Sequence, residues 1–231
     1  MDIEKRKKFE KKIGLEFKNK ELLKRSLTHR SFLNENDNED LKSNERLEFL
    51  GDAVLELVVS EFLFHEYPDR PEGELTSFRA AVVRTDNLAK ISRKLGFGEF
   101  LLMSKGEEMT GGREKEYLLA NTFEAVVGAL YLDQGYEPVK KFLTTHLVPQ
   151  IATVVKYRLD IDAKTKLQEK TQNIFKKTPV YKVIKEKGPD HDKIFTVVVR
   201  INGKVYGEGE GITKQKAEDA AASKALRKLN D

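Results

Sequence analysis

The residues with the clearest chemical potential lie between Asn44 and Glu56, in the stretch NERLEFLGDAVLE. At 3.6 residues per turn, Glu45, Glu48, Asp52 and Glu56 share one narrow arc of a helix, because they fall at i, i+3, i+7 and i+11. No Lys or Arg lies between Leu47 and Glu61. Glu48 and Asp52 therefore repel each other by roughly a few tenths of a kcal/mol, with no cation on their own helix to offset it. A solvated acidic face is the ordinary outcome for such a stripe. A second stretch argues for something more. Tyr117 to Leu132, YLLANTFEAVVGALYL, is apolar apart from a single charge, Glu124, and a buried charge needs a partner or a metal. Asn121 precedes Glu124 by three residues and Gly128 follows it by four, so an amide, a carboxylate and a gap share one face. If the two helices pack together, Glu48, Asp52, Asn121 and Glu124 converge as an all-oxygen cluster. Those donors suit a hard cation such as Mg²⁺, with Mn²⁺ able to substitute.

The elements that must position these groups read as helices. Segments 3–13 and 21–30 have helical spacing, the second with Leu22, Leu23 and Leu27 inward, Asn19 placed to cap it and the turn Thr28–Ser31 closing it. Residues 34–43 are polar and turn-forming, and Ser43 or Asn44 is a suitable N-cap for the long acidic helix. On that helix the arc opposite the acids carries Leu47, Leu50, Val54, Leu57 and Val58, the expected core face. It ends near Tyr67-Pro68, and Pro71 opens the next helix with Glu72 and Glu74 favoured in its first turn by the dipole. A helical segment over Leu75–Leu95 stops at Gly96, and 97–113 is rich in loops. A helix over about 114–133 ends at Gly135, and a last one covers about 137–157. Residues 1–157 thus form an all-α domain. His29, near a helix end, reads as a packed or hydrogen-bonded residue rather than a metal ligand or base. Phe49 projects beside the acid stripe, where its ring packs either into the core or against a partner.

Residues 158–162 link this domain to a small α+β domain over 163–231, in the order helix, three strands, helix. The strands are expected at Tyr181–Glu186, Lys193–Ile201 and Lys204–Gly209. The last helix starts after Thr213, a good N-cap, and packs through Ala217, Ala220, Ala221, Ala225 and Leu229. Lys214 and Lys216 lie in its first turn, where the dipole disfavours cations. Two solvated lysines are one reading; the other is that oriented backbone N–H groups and two ammoniums together make a phosphate site.

Composition narrows the classes further. The chain has 231 residues, 39% hydrophobic and 35% charged, with no cysteine. Disulfides, thiolate catalysis and zinc ribbons are excluded. No run of about 18 apolar residues is present to cross a membrane, and the N-terminus MDIEKRKKFEKK lacks the apolar core of a signal peptide; a cytoplasmic location is expected. The net charge is −3 over residues 1–150 and +7 over 151–231, the balance of a metal-using body joined to a polyanion binder.

NERLEFLGD (Asn44–Asp52), LTHRSF (Leu27–Phe32) and the LLANTFEAVVGALYLDQG run together resemble the nuclease domain of bacterial ribonuclease III. KTKLQEKTQ (Lys164–Gln172), GPDH (Gly188–His191), GEGEG (Gly207–Gly211) and TKQKAEDAAA (Thr213–Ala222) resemble a double-stranded RNA binding domain. The resemblance implies a homodimeric, Mg²⁺-dependent endoribonuclease that hydrolyses phosphodiesters in double-stranded RNA. It also implies short 3′ overhangs and a role in processing ribosomal and other structured precursors. It assigns catalytic roles to Asp52 and Glu124, with Glu45 and Glu72 secondary, and metal ligation to Glu48, Asp52, Asn121 and Glu124. Phe49 would enter a socket on a second subunit. Gln168, Glu169 and Gln172, with Pro189, Asp190 and His191, would touch successive minor grooves, and Lys214 and Lys216 the phosphates between them. Two positions depart from the family pattern. Asn121 stands where the family has Asp, which implies weaker metal binding and lower activity, and Gln215 interrupts a lysine pair. The alternative is a nuclease-like protein that binds duplex RNA without cutting it.

Overall fold

A computed structural model describes residues 3–35, 41–158, 161–189 and 193–229. The chain divides into two compact units, Met1–Asp160 and Ile161–Asp231. Among the described residues no helix is long and apolar enough to cross a membrane.

The first unit is helical: α1 (Ile3–Ile13), α2 (Lys20–Ser26), α3 (Arg30–Leu33), α4 (Glu45–Glu66), α5 (Glu72–Val82), α6 (Thr85–Lys94), α7 (Lys105–Met109), α8 (Glu116–Gln134) and α9 (Tyr136–Tyr157). α8 is its axis. Leu118, Phe123, Val126, Val127 and Leu130 are all buried, because α8 is packed on several sides by α4, α6, α2 and α9. A helix that is apolar all round belongs in a core. Aromatic rings extend that core: Phe9 lies 5.1 Å from Phe97, Phe97 stacks on Phe123 at 6.0 Å, and Phe123 on Phe142 at 5.8 Å.

Local rules account for most helix ends. Asn19 accepts from the backbone N–H groups of Glu21 and Leu22 and so caps α2. Asn44 precedes α4 without a side-chain cap; its amide instead donates to the Ser26 carbonyl at 3.4 Å. Two expectations change. The segment 21–30 is two helices, α2 and α3, separated at Leu27–His29, where Thr28 bridges to Leu102. The segment 75–95 is also two, because Arg84 is extended and the Asn87 amide caps the Val82 carbonyl at 2.6 Å. The first break falls one residue ahead of the expected Thr28–Ser31 turn; the second contains neither Gly nor Pro, so the pattern carries no punctuation to mark it.

The core face of α4 also differs from expectation. It buries Leu47, Gly51, Val54, Leu55, Val58, Val59 and Leu63, while Leu57, assigned to the core by sequence, is 57% exposed. At 100° per residue the buried face is turned roughly 80° toward the acids. The acids flank the core rather than oppose it. The reason is Gly51, a gap that draws α8 to that side.

The second unit comprises α10 (Ala163–Phe175), strands β1 (Val180–Lys187), β2 (Ile194–Ile201) and β3 (Lys204–Gly211), and α11 (Lys214–Lys228). The sheet is antiparallel in the order β1-β2-β3. Gly207, Gly209 and Gly211 face the backbone of α11 at Ala217 and Ala221, where any Cβ would collide. Small residues on both sides let this helix lie directly on the sheet. Asp162 caps α10 by accepting from Thr165 N at 2.8 Å, and Thr213 caps α11 by accepting from Lys216 N at 3.2 Å.

Candidate functional site

The α4–α8 crossing builds the site. A Cβ on Gly51 would overlap the Glu124 carbonyl, and one on Gly128 would overlap that of Leu47. The helices touch backbone to backbone, which brings the side chains beside the crossing within electrostatic reach of one another. Glu124 is held at a pKa of about 8, first by burial and then by the charges of Asp52 and Glu48. Glu48 is also raised, first by burial; a hydrogen bond from the Asn121 amide opposes the rise, and Glu45 and Asp52 add to it. Glu48, Asp52, Asn121 and Glu124 therefore form one electrostatic group with excess negative charge.

Their donors are all oxygen, the set that a hard divalent cation takes, and the surplus charge is the kind a cation relieves. The residues present fit such an ion by chemistry. They are not drawn into a finished cage: among the described residues no group of three or more His, Asp or Glu side chains has metal-holding geometry. The residue that joins the acids from α8 beside Glu124 is an amide, Asn121, which donates to Glu48.

The other acids stand further out. Glu45 is exposed, accepts from Ser43 Oγ at 3.0 Å and lies 3.7 Å from Arg30. Glu72 opens α5, accepts from Thr76 Oγ1 at 3.0 Å and lines a separate cleft of about 420 Å³ with Leu57, Phe64, Leu75 and Arg79. It does not join the other acids within this chain. Phe49 is 81% exposed, and Leu57 and Phe64, the latter 69% exposed, follow it along the same side of α4. Sequence reasoning singled out Phe49 alone; the rotation of α4 reveals the apolar stripe. His29 caps α3 by accepting from Ser31 N through Nδ1.

In the second unit, Gln168, Glu169 and Gln172 are exposed on α10, as is Pro189 after β1. Gln168 lines one cleft of about 780 Å³ with Thr213, Gln215 and Lys216 from the start of α11. Lys214 turns to the other side, 3.8 Å from Glu186 and 5.5 Å from the Phe195 ring centroid. Asp190 and His191 lie outside the described residues.

Comparison with known proteins agrees with this division. Residues 19–151 match the family model described as Ribonuclease-III-like, and 163–229 match the double-stranded RNA binding motif. Ribonuclease 3 of Bacillus velezensis is 46% identical over 98% of this chain and 91% of its own length. Ribonuclease 3 of Lactococcus lactis is 46% identical over 97% and 96%. The nuclease domain of ribonuclease III from Campylobacter jejuni has a crystal structure that superposes with a TM-score of 0.57 at 44% identity, over 62% of this chain and 94% of that one. A further structure of that domain describes flexibility in a region involved in its dimer formation.

Proposed function

We propose, from the premise that this chain belongs to the ribonuclease III family, a division of labour in which the first unit cuts and the second holds duplex RNA. The protein is a metal-dependent endoribonuclease acting on double-stranded RNA. The finer reading is that Glu48, Asp52, Asn121 and Glu124 hold Mg²⁺, or Mn²⁺ in its place. The observation that carries it is the carboxyl of Glu124, raised to about 8 beside two further acids with an amide between the helices. A divalent cation held by these residues would supply a lower pKa for a water nucleophile and offset charge building on the phosphodiester.

The chain's own residues do the rest. Asp52 and Glu124 present carboxylates toward the reacting strand, and Glu48 is steadied by the Asn121 amide. Glu45 stands at the rim. Two copies would associate through the apolar stripe of Phe49, Leu57 and Phe64, which gives each duplex two cutting sites and gives Glu72, remote within one chain, a place in the shared valley. Gln168, Glu169, Gln172 and Pro189 to His191 would follow minor grooves by shape and 2′-hydroxyls, with Lys214 and Lys216 on phosphates. Structured precursors such as ribosomal transcripts are the substrates this reading names, which puts the enzyme in the cytoplasm. Labelled duplex RNA incubated with Mg²⁺ and with chelator tests it. Cleavage in the first alone is expected; intact duplex in every divalent ion would leave only binding.

A further inference from the structure

Beside the α4–α8 carboxylates the first unit opens a second cleft, of about 510 Å³, with Glu48 and Asn121 as the shared wall. His29, Arg30, Asn34, Glu45 and Tyr117 line the rest. Its hydrogen-bonding state follows from a short chain of contacts. Ser104 N donates to Ser31 Oγ at 3.0 Å, Ser31 Oγ lies 2.8 Å from His29 Nδ1, and Ser31 N donates to that nitrogen at 3.3 Å. A ring nitrogen that accepts from a backbone N–H bears no hydrogen, so the neutral imidazole carries its hydrogen on Nε2. Burial lowers the His29 pKa and favours that neutral form. Nε2–H takes no part in the chain of contacts and is a fixed donor in a residue that lines the cleft.

The balance of charge excludes a plain phosphate pocket. Among the described lining residues Arg30, its side chain 74% exposed, is the one guanidinium or ammonium, and it faces Glu45 at 3.7 Å. Glu107 is bonded to Lys115 at 2.6 Å. Carboxylate acceptors and neutral donors on one wall suit a group that both donates and accepts, which is a hydroxyl. On an RNA strand next to the cutting site, that group is the ribose 2′-hydroxyl, the feature that separates RNA from DNA. Tyr117, half exposed, offers a ring face at the same mouth.

We propose that this cleft reads the sugar of the cleaved strand: the 2′-hydroxyl of a nucleotide beside the scissile phosphate accepts from His29 Nε2–H and donates to Glu45, with Arg30 on the adjoining phosphodiester. The proposal rests on the reading of the α4–α8 carboxylates as the cutting site and adds a discriminating role for His29 to it.

Two substitutions separate this role from the cap on α3. His29→Asn sets an acceptor near the Nδ1 position and lacks the distal donor; His29→Gln carries an amide to the Nε2 position and loses the cap. Each is assayed on an all-ribose duplex and on duplexes with one 2′-deoxynucleotide at successive positions flanking the cut, with thermal melting alongside. Wild type should lose on the order of 100-fold in kcat/KM at one flanking position, the worth of two hydrogen bonds to polar groups. His29→Asn should lose about tenfold on the all-ribose duplex and only about tenfold more on that deoxy duplex, where the bond to Glu45 is all that remains to lose, with its melting unchanged. His29→Gln should recover the discrimination while melting lower. Full discrimination by His29→Asn, or a wild type indifferent to every 2′-deoxy position, overturns the assignment. An all-ribose duplex left uncut by wild type would instead remove the underlying cutting site.

Discussion

Gly51 on α4 rests against the carbonyl oxygen of Glu124 on α8, with no room for a side chain between them. Backbone contact at this point sets the distance between the acids that the two helices carry. Gly51→Ala should part the helices, with a cost of about 1–3 kcal/mol from overpacking. Cleavage should fall further than stability explains, by on the order of 100-fold, since a displacement of ~1 Å misaligns a catalytic group. Denaturant melts and kcat/KM on one preparation check both; a stable variant with full activity would show that the crossing does not set the geometry.

Asn121→Asp replaces an amide that donates to Glu48 with a third acid beside two raised ones. Without divalent ions the variant should melt lower than the parent at neutral pH, because the donor is lost and like charge is added. With Mg²⁺ the order should reverse, and cleavage should saturate at lower Mg²⁺. Melting curves across a Mg²⁺ titration give both values, and identical titrations for the two proteins would dismiss the role given to this position.

The pH dependence of the metal-free protein follows from Glu124, whose carboxyl moves from 4.5 to about 8 on folding. A carboxyl raised in the folded state favours folding while protonated, so its contribution is complete below about pH 4.5 and disappears as pH climbs toward 8. Chelator-treated protein should lose melting temperature across that window. In Glu124→Gln the decline should flatten, and an unchanged slope would contradict the assigned environment.

Phe49→Ala should weaken self-association at least tenfold, because in the proposed pairing a ring exposed to 81% in one chain would gain its stabilisation from burial against the partner. Sedimentation across a dilution series reads the effect. Equal association by parent and variant would place the contact elsewhere.

Lys216 shares its cleft with Gln168, whereas Lys214 is drawn toward Glu186. Loss of one phosphate contact lowers the slope of log affinity against log salt by roughly one. Lys216→Ala should do so and Lys214→Ala should do less, measured by duplex RNA binding at several salt concentrations. Equal slopes in the two variants would deny the distinction.

Much of this was legible in the residues themselves. The single charge in Tyr117–Leu132 marks Glu124 as the group needing an explanation, and paired acids at i, i+4 mark Glu48 and Asp52. The order of helix and strands in the second unit follows from alternation in Lys193–Ile201 and small residues in the last helix. Three features were not legible. The break after Val82 rests on a hydrogen bond from the Asn87 side chain. The orientation of α4 depends on which neighbour Gly51 admits. Finally, Ser31 and Ser104, far apart in sequence, fix the tautomer of His29, and no spacing rule relates them.

The roll of α4 has a consequence for anyone who would re-engineer this enzyme. One angle tucks Glu48 against its neighbours and, on the far flank, leaves Phe49, Leu57 and Phe64 in water. On the proposed reading, hydrolytic power and pairing of subunits would be geared to a single shaft. Core substitutions that twist that shaft by even a fraction of a turn should disturb both together, so a fully active solitary form is to be sought by repainting the outer flank, never by repacking the inner one.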